Sequence, residues 1–122
     1  MTPELENKLY EDFPLLFANR EHPQSPMVFG CECGDGWYGI LRASCNRIAS
    51  HEKYAGQQSF RFSQIKEKYG TIRLYHDGGD AYCQGVISMA EAMSAMTCEL
   101  CGDPGKTNAI GWLLTLCEEC RK

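Results

Sequence analysis

The chain has 122 residues, 43% of them hydrophobic, which is enough for one modest core with a small appendage at most. Twelve Lys and Arg against sixteen Asp and Glu give a formal charge of −4, which excludes a broadly basic nucleic-acid coat. No apolar run reaches the length of a membrane span, and Met1-Thr2-Pro3-Glu4-Leu5-Glu6 has neither the basic flank nor the apolar stretch of a signal peptide, so a soluble cytoplasmic protein is expected.

Thr2-Pro3-Glu4 predicts a helix start: Thr2 caps, Pro3 takes the first helical position, and Glu4 meets the positive end of the dipole. Leu5, Leu9 and Tyr10 form a short apolar stripe. Pro14 ends the helix, and Phe13, Leu15, Leu16 and Phe17 are expected in the core. Residues 19–26, with two prolines and His22, read as a loop, and Met27-Val28-Phe29 as a short extended segment. Asp35 is the expected cap of a helix over 37–50, whose Trp37, Ile40, Leu41, Ser44, Cys45 and Ile48 share one face.

Phe60 and Phe62 alternate with Arg61 and Ser63, and Ile72 and Leu74 with Arg73 and Tyr75. Two strands joined through Glu67-Lys68-Tyr69-Gly70 make a hairpin whose apolar face is expected to cover the Trp37 helix. Asp80 caps a helix over 81–97, with Val86, Ile87, Ala90, Met93 and Met96, and Met89 beside them, as a core-filling stripe. That helix runs directly into the last segment. Cys98-Glu99-Leu100-Cys101, fifteen residues, then Cys117-Glu118-Glu119-Cys120 is the spacing of a four-thiolate zinc site. Trp112-Leu113-Leu114-Thr115-Leu116 reads as a strand entering the second cysteine pair. The expected fold is therefore α+β: two main helices packed on a small antiparallel hairpin or sheet, with a C-terminal four-cysteine zinc ribbon. Residues 1–97 form the core and 98–122 the ribbon, continuous with the last core helix.

Three stretches carry a resemblance: Glu32-Cys33-Gly34-Asp35-Gly36-Trp37, Lys66-Glu67-Lys68-Tyr69-Gly70-Thr71-Ile72-Arg73-Leu74-Tyr75, and Cys98-Glu99-Leu100-Cys101-Gly102-Asp103-Pro104-Gly105. Together they resemble small proteins encoded by bacteriophages and prophages of proteobacteria. The resemblance implies a phage accessory protein in the cytoplasm of a bacterial host, where it would bind and inhibit a host protein or complex. It transfers no catalytic residue. Relatives in that family tend to carry Cys and Trp shortly before the first motif, where this chain has Met27-Val28-Phe29-Gly30-Cys31.

Cys98, Cys101, Cys117 and Cys120 are thus the expected ligands of one structural zinc ion, with no position left open for substrate. If all four thiols ionise they add −4 and the zinc adds +2, for a working charge of −6. The charge is uneven. Residues 53–76 hold five Lys and Arg against one Glu, a local +4. Arg61, Lys66, Lys68, Arg73 and Tyr75 on the outer hairpin face form a candidate nucleic-acid or partner surface, set against a merely solvated sheet face. Cys33, just before a helix start, is weighed as a reactive thiol with His51 or His76 as base, against a packed thiol shaping the turn. Cys31, Cys33, Cys45 and Cys83 are weighed as a second metal site, against buried free thiols. A non-enzymatic interaction protein leads over a nucleic-acid-binding ribbon protein, and a thiol-dependent enzyme ranks third.

Overall fold

The computed structural model describes all 122 residues. The fold is α+β, with four helices, a small sheet and a C-terminal ribbon. Helix α1 spans Pro3–Asp12, α2 Tyr38–Ala55, α3 Ala81–Ser94 and α4 Glu118–Arg121. Strands β2 (Arg61–Lys68) and β3 (Thr71–Asp77) form the antiparallel hairpin. A two-residue strand, β1 (Cys31–Glu32), adds to β2 in parallel, giving the order β1-β2-β3. Strands β4 (Lys106–Thr107) and β5 (Thr115–Leu116) form the ribbon.

Local chemistry sets most element starts. Pro3 occupies the first turn of α1, where its missing N–H costs nothing. The Asp80 side chain caps α3 by accepting from Cys83 N at 3.2 Å. The other two expected caps are corrected. Thr2 makes no side-chain cap. Asp35 opens a 3-10 turn (Asp35–Trp37) before α2, and its carboxylate accepts from Thr2 N at 2.7 Å instead. Asp35 therefore ties the first helix to the second.

The hairpin turn is tighter than expected. Lys68 ends β2 and only Tyr69 and Gly70 form the corner, both at positive φ (55° and 84°), as a two-residue turn between twisted strands requires. A register shift between Phe62 and Gln64 lets Phe62 and Ile65, three residues apart, both enter the core.

One core cluster runs from Leu9 to Ala90 and contains Phe17, Trp37, Phe60, Phe62 and Ile72. Phe17 lies 5.2 Å from the Tyr10 ring and 5.1 Å from Phe62, which meets Phe60 edge-on at 4.8 Å. Each such ring contributes about 2–3 kcal/mol by burial. β3 packs beside α3, β2 packs beside the 3-10 turns at Ala18–Glu21 and Pro26–Phe29, and α2 packs on α3. The apolar hairpin face and the buried face of the Trp37 helix enter the same core cluster. Buried polar groups stitch these layers. Glu52 accepts from Phe60 N at 3.0 Å, and Ser94 Oγ accepts from Ile72 N at 2.9 Å.

The methionine stripe of α3 also departs from expectation. Ile87 and Ala90 are buried, but Met89, Met93 and Met96 are exposed. Helical periodicity identifies a face, and here that face is only half covered. Met89 and Met93 instead line a groove of about 950 Å³ between α2 and α3, together with Tyr38, Ile40, Tyr82 and Val86. No helix is long and apolar enough to cross a membrane.

Candidate metal centre

After α3, residues 95–97 lead into the first cysteine pair. The chain turns at Gly102, at φ 88°, where its N–H donates to Cys98 O at 2.9 Å. Asp103 N then points at Cys101 Sγ at 3.5 Å. The second pair sits at the start of α4, where Cys117 Sγ accepts from Cys120 N at 3.4 Å. Two short strands hold the pairs together, with Lys106 opposite Leu116 and Thr107 opposite Thr115.

The result brings all four expected ligands together. Their sulfurs lie within 4.8 Å of one another, with Cys101 and Cys117 3.6 Å apart. A tetrahedral ion with bonds of about 2.3 Å would set its sulfurs about 3.8 Å apart. The donor set is all thiol, which suits a soft or borderline ion. Electrostatics divide the thiols, with Cys98 lowered and Cys101 and Cys120 raised. Burial opposes ionisation of Cys98, but the backbone N–H groups of Cys117, Cys101 and Leu100 bring it down to about 6. Hydrogen bonding with Cys117, Cys101 and Cys98 pushes Cys120 up to about 12. Four thiolates this close repel one another, and a dication in their midst reverses that repulsion. An ion held by all four cysteines would have a closed, structural coordination shell.

The centre rests on a seat built by the other two motif stretches. Trp37 is fully buried and its indole N–H donates to Thr97 O at 2.8 Å. Gly36 N donates to Glu99 O at 2.7 Å, and Gly34 N to the Glu99 carboxylate at 2.9 Å. A Cβ on Gly36 would lie 2.1 Å from Cys98 O, and one on Gly34 2.4 Å from Glu99 O, so only glycine permits this approach. On the other side, Thr115 Oγ1 donates to Gly70 O at 2.5 Å, which joins the ribbon to the hairpin corner. Glu99 and Thr115 gave no sign of this role in the sequence, because their partners lie 45 to 65 residues away.

The remaining candidates separate. Cys33 is buried, which pushes its thiol up to about 12, opposite to what a nucleophile needs. The two histidines are engaged elsewhere. His51 Nε2 is 2.7 Å from Asp80 Oδ2 and its ring stacks on Tyr82, while His76 stacks on Phe60 and contacts Gly78 O at 3.1 Å. Cys31, Cys45 and Cys83 are buried, and burial raises all three thiols. These three and Cys33 do not converge into a second cluster.

The basic set divides as well. Lys66 lies opposite Arg73 and Lys68 opposite Thr71, so the three cations cluster near the corner. None of the three forms an ion pair. Tyr75 is exposed on β3, across from Gln64. Arg61 lies at the far end, opposite Asp77, and its guanidinium donates to Gln58 O and Phe60 O. It is a strand-end clasp and does not belong with the others.

Trp112 is the largest correction. Only Thr115–Leu116 of the expected strand is a strand, and Trp112 stands 82% exposed beside Ile110, 88% exposed. The signal was present in Asn108 and Gly111, residues of turns. Asn108 Nδ2 donates to Ile110 O and Trp112 O, its Oδ1 accepts from Leu114 N at 2.7 Å, and Gly111 adopts φ 82°. Comparison with family models, with curated proteins and with solved structures gave no match for this chain.

Proposed function

We propose that this chain is a non-enzymatic binding protein, stapled by one zinc ion, that binds and modulates a host macromolecule such as a defence or nucleic-acid-processing complex. The observation that carries the reading is the ribbon loop. Ile110 and Trp112 stand almost fully exposed on a backbone clamped by Asn108. Exposed apolar side chains on a fixed frame mark contact surfaces, and Trp is the residue most enriched among binding hot spots. The resemblance to phage-encoded proteins supports a host target, with inhibition as its outcome and the bacterial cytoplasm as its place. Zinc is favoured by an all-thiol set of four sulfurs within 4.8 Å of one another.

The test is a tagged pull-down from bacterial lysate, in nuclease-treated and untreated halves, with the wild-type chain and an Ile110→Ser/Trp112→Ser variant. A macromolecule of either kind retained by the wild type and lost by the variant is the expected result. Capture of nothing above the bead control, or equal capture by both chains, would reject the reading. Elemental analysis of the purified chain should give one zinc per chain.

A further inference from the structure

We infer that the cleft between the hairpin corner and the ribbon loop binds single-stranded nucleic acid, with Trp112 and Tyr69 as base-stacking surfaces and Lys66, Lys68 and Arg73 as phosphate contacts. This rests on the binding-protein reading above and names its partner class and surface. The cleft has a volume of about 420 Å³ and brings Lys66, Lys68 and Tyr69 against Trp112 and Leu113. These residues lie more than forty positions apart in the chain, and the Thr115–Gly70 hydrogen bond fixes their approach.

Four features fit this occupant. Both aromatic rings are open to solvent, Tyr69 at 66% and Trp112 at 82%. Tyr69 is the one non-glycine residue at positive φ, an uncommon conformation for a bulky side chain and one that holds its ring at the corner. Lys66 and Arg73 face each other across the strands and neither forms an ion pair, Arg73 Nε donating only to Thr71 Oγ1 at 3.1 Å, although like charges opposed in a sheet are unfavourable. An anion threading between them removes that cost. Lys68 Nζ already sits 5.5 Å from the Tyr69 ring centroid, so one cation and one aromatic surface are adjacent.

Three acidic groups lie at or near the cleft. Glu67 lines the cleft, but its carboxylate accepts from Gly70 N at 2.8 Å. Glu32 lies beside Lys66 on β1 and lowers the local charge. Glu99 stands near Glu67, so Lys66, Lys68 and Arg73 are balanced locally by three carboxylates, and positive charge is confined to the edge these cations form; the rest of the chain is acidic. Such a surface suits a short contact with a flexible strand and disfavours a long duplex, whose phosphates would meet the acidic remainder.

The experiment uses the full chain with fluorescein-labelled oligothymidylate, a duplex of equal length, and polyglutamate as an acidic polymer without bases. Anisotropy should show single-strand binding that weakens with salt at a log–log slope of about −2, as three phosphate contacts require. Trp112 emission should be quenched by stacking, while Trp37 is shielded in the core. Trp112→Ala should weaken binding by about 5- to 150-fold with the salt slope kept, and Trp112→Phe should recover most of it. Lys66→Ala/Lys68→Ala should weaken binding and flatten the slope. Unchanged metal content and melting temperature in these variants would show that the fold is intact. No anisotropy change at low salt, equal binding of duplex or polyglutamate, or wild-type affinity in Trp112→Ala would each overturn the inference. A nuclease-resistant protein captured in the pull-down by a chain that binds no oligonucleotide would overturn it too, while leaving the binding-protein reading in place.

Discussion

The first ninety or so residues and the last twenty-five are held together by different forces. The core buries one continuous cluster, from Leu9 to Ala90, with Trp37 and three phenylalanines at or near zero exposure. The ribbon contributes nothing to that cluster. Its buried side chains are two cysteines and Thr115, with Cys98 at its root. It has two two-residue strands and a single turn of helix. Hydrophobic burial folds the core, whereas the ribbon has only its thiol cluster and the seat beneath it to hold it, and with an ion bound that cluster would act as its staple. The motifs most suggestive of chemistry in the sequence lie along this boundary. Gly34, Gly36 and Trp37 receive the first cysteine pair, and Gly70 receives Thr115.

The largest effect should come from removing one ligand. Structural zinc in small domains contributes about 10–16 kcal/mol of apparent binding free energy, more than a ribbon without a core can replace. Cys117→Ser should therefore lose its metal and leave residues 98–122 open to protease, while α1, α2 and α3 survive with most of the far-ultraviolet signal. Chelation of the wild type should reproduce this. Full metal content with an unchanged proteolysis pattern in Cys117→Ser would show that the ribbon holds itself together without the centre.

Trp37 belongs to both regions, and its loss should be felt in both. Trp37→Ala removes a fully buried ring and strands the Thr97 carbonyl. A stability cost of about 3–5 kcal/mol, read from denaturant unfolding, is expected, together with weaker metal retention. A stability loss without any change in metal affinity would mean that the seat and the ribbon are not coupled.

Gly36→Ala tests that coupling with a single methyl group. The added Cβ would lie 2.1 Å from Cys98 O, so the ribbon must lift or the 3-10 turn must shift. Overpacking of this kind costs about 1–3 kcal/mol, which corresponds to about a 5- to 150-fold loss in metal affinity if it falls on the ribbon. Competition with a chromophoric chelator would read that loss. An unchanged zinc affinity would separate the two regions.

Features with local causes were legible in the sequence. Pro3 and Asp80 mark their helix starts through backbone chemistry within one turn, and the Cys pairs declare a ligand set because two-residue spacing is itself local geometry. The hairpin was legible from alternation, but not the irregularity near Ser63, which follows from the need to bury both Phe62 and Ile65. The seat was hidden for a different reason. Gly36 and Cys98 are neighbours only once α2, the sheet and α3 are in place, and a glycine in a turn looks the same whether or not another backbone rests on it. Trp112 reads as part of a strand because an apolar run does so until its flanking Asn108 and Gly111 are given their weight.

The smallest effect concerns the face of α3 that periodicity assigned to the core. Ile87 and Met89 are near neighbours on one helix, 7% and 62% exposed. Burial and not residue type should set their worth. Ile87→Ala should cost about 2–5 kcal/mol, since it empties packed space. Met89→Ala should stay within about 0.5 kcal/mol, because the side chain borders an open groove and alanine suits a helix at least as well. Chemical denaturation of the two variants side by side decides the matter. Equal losses would mean that the groove between α2 and α3 is closed in solution and that the methionines pack after all. Unequal losses would leave the core ending at Ile87 and Ala90, with the stripe beyond them as surface.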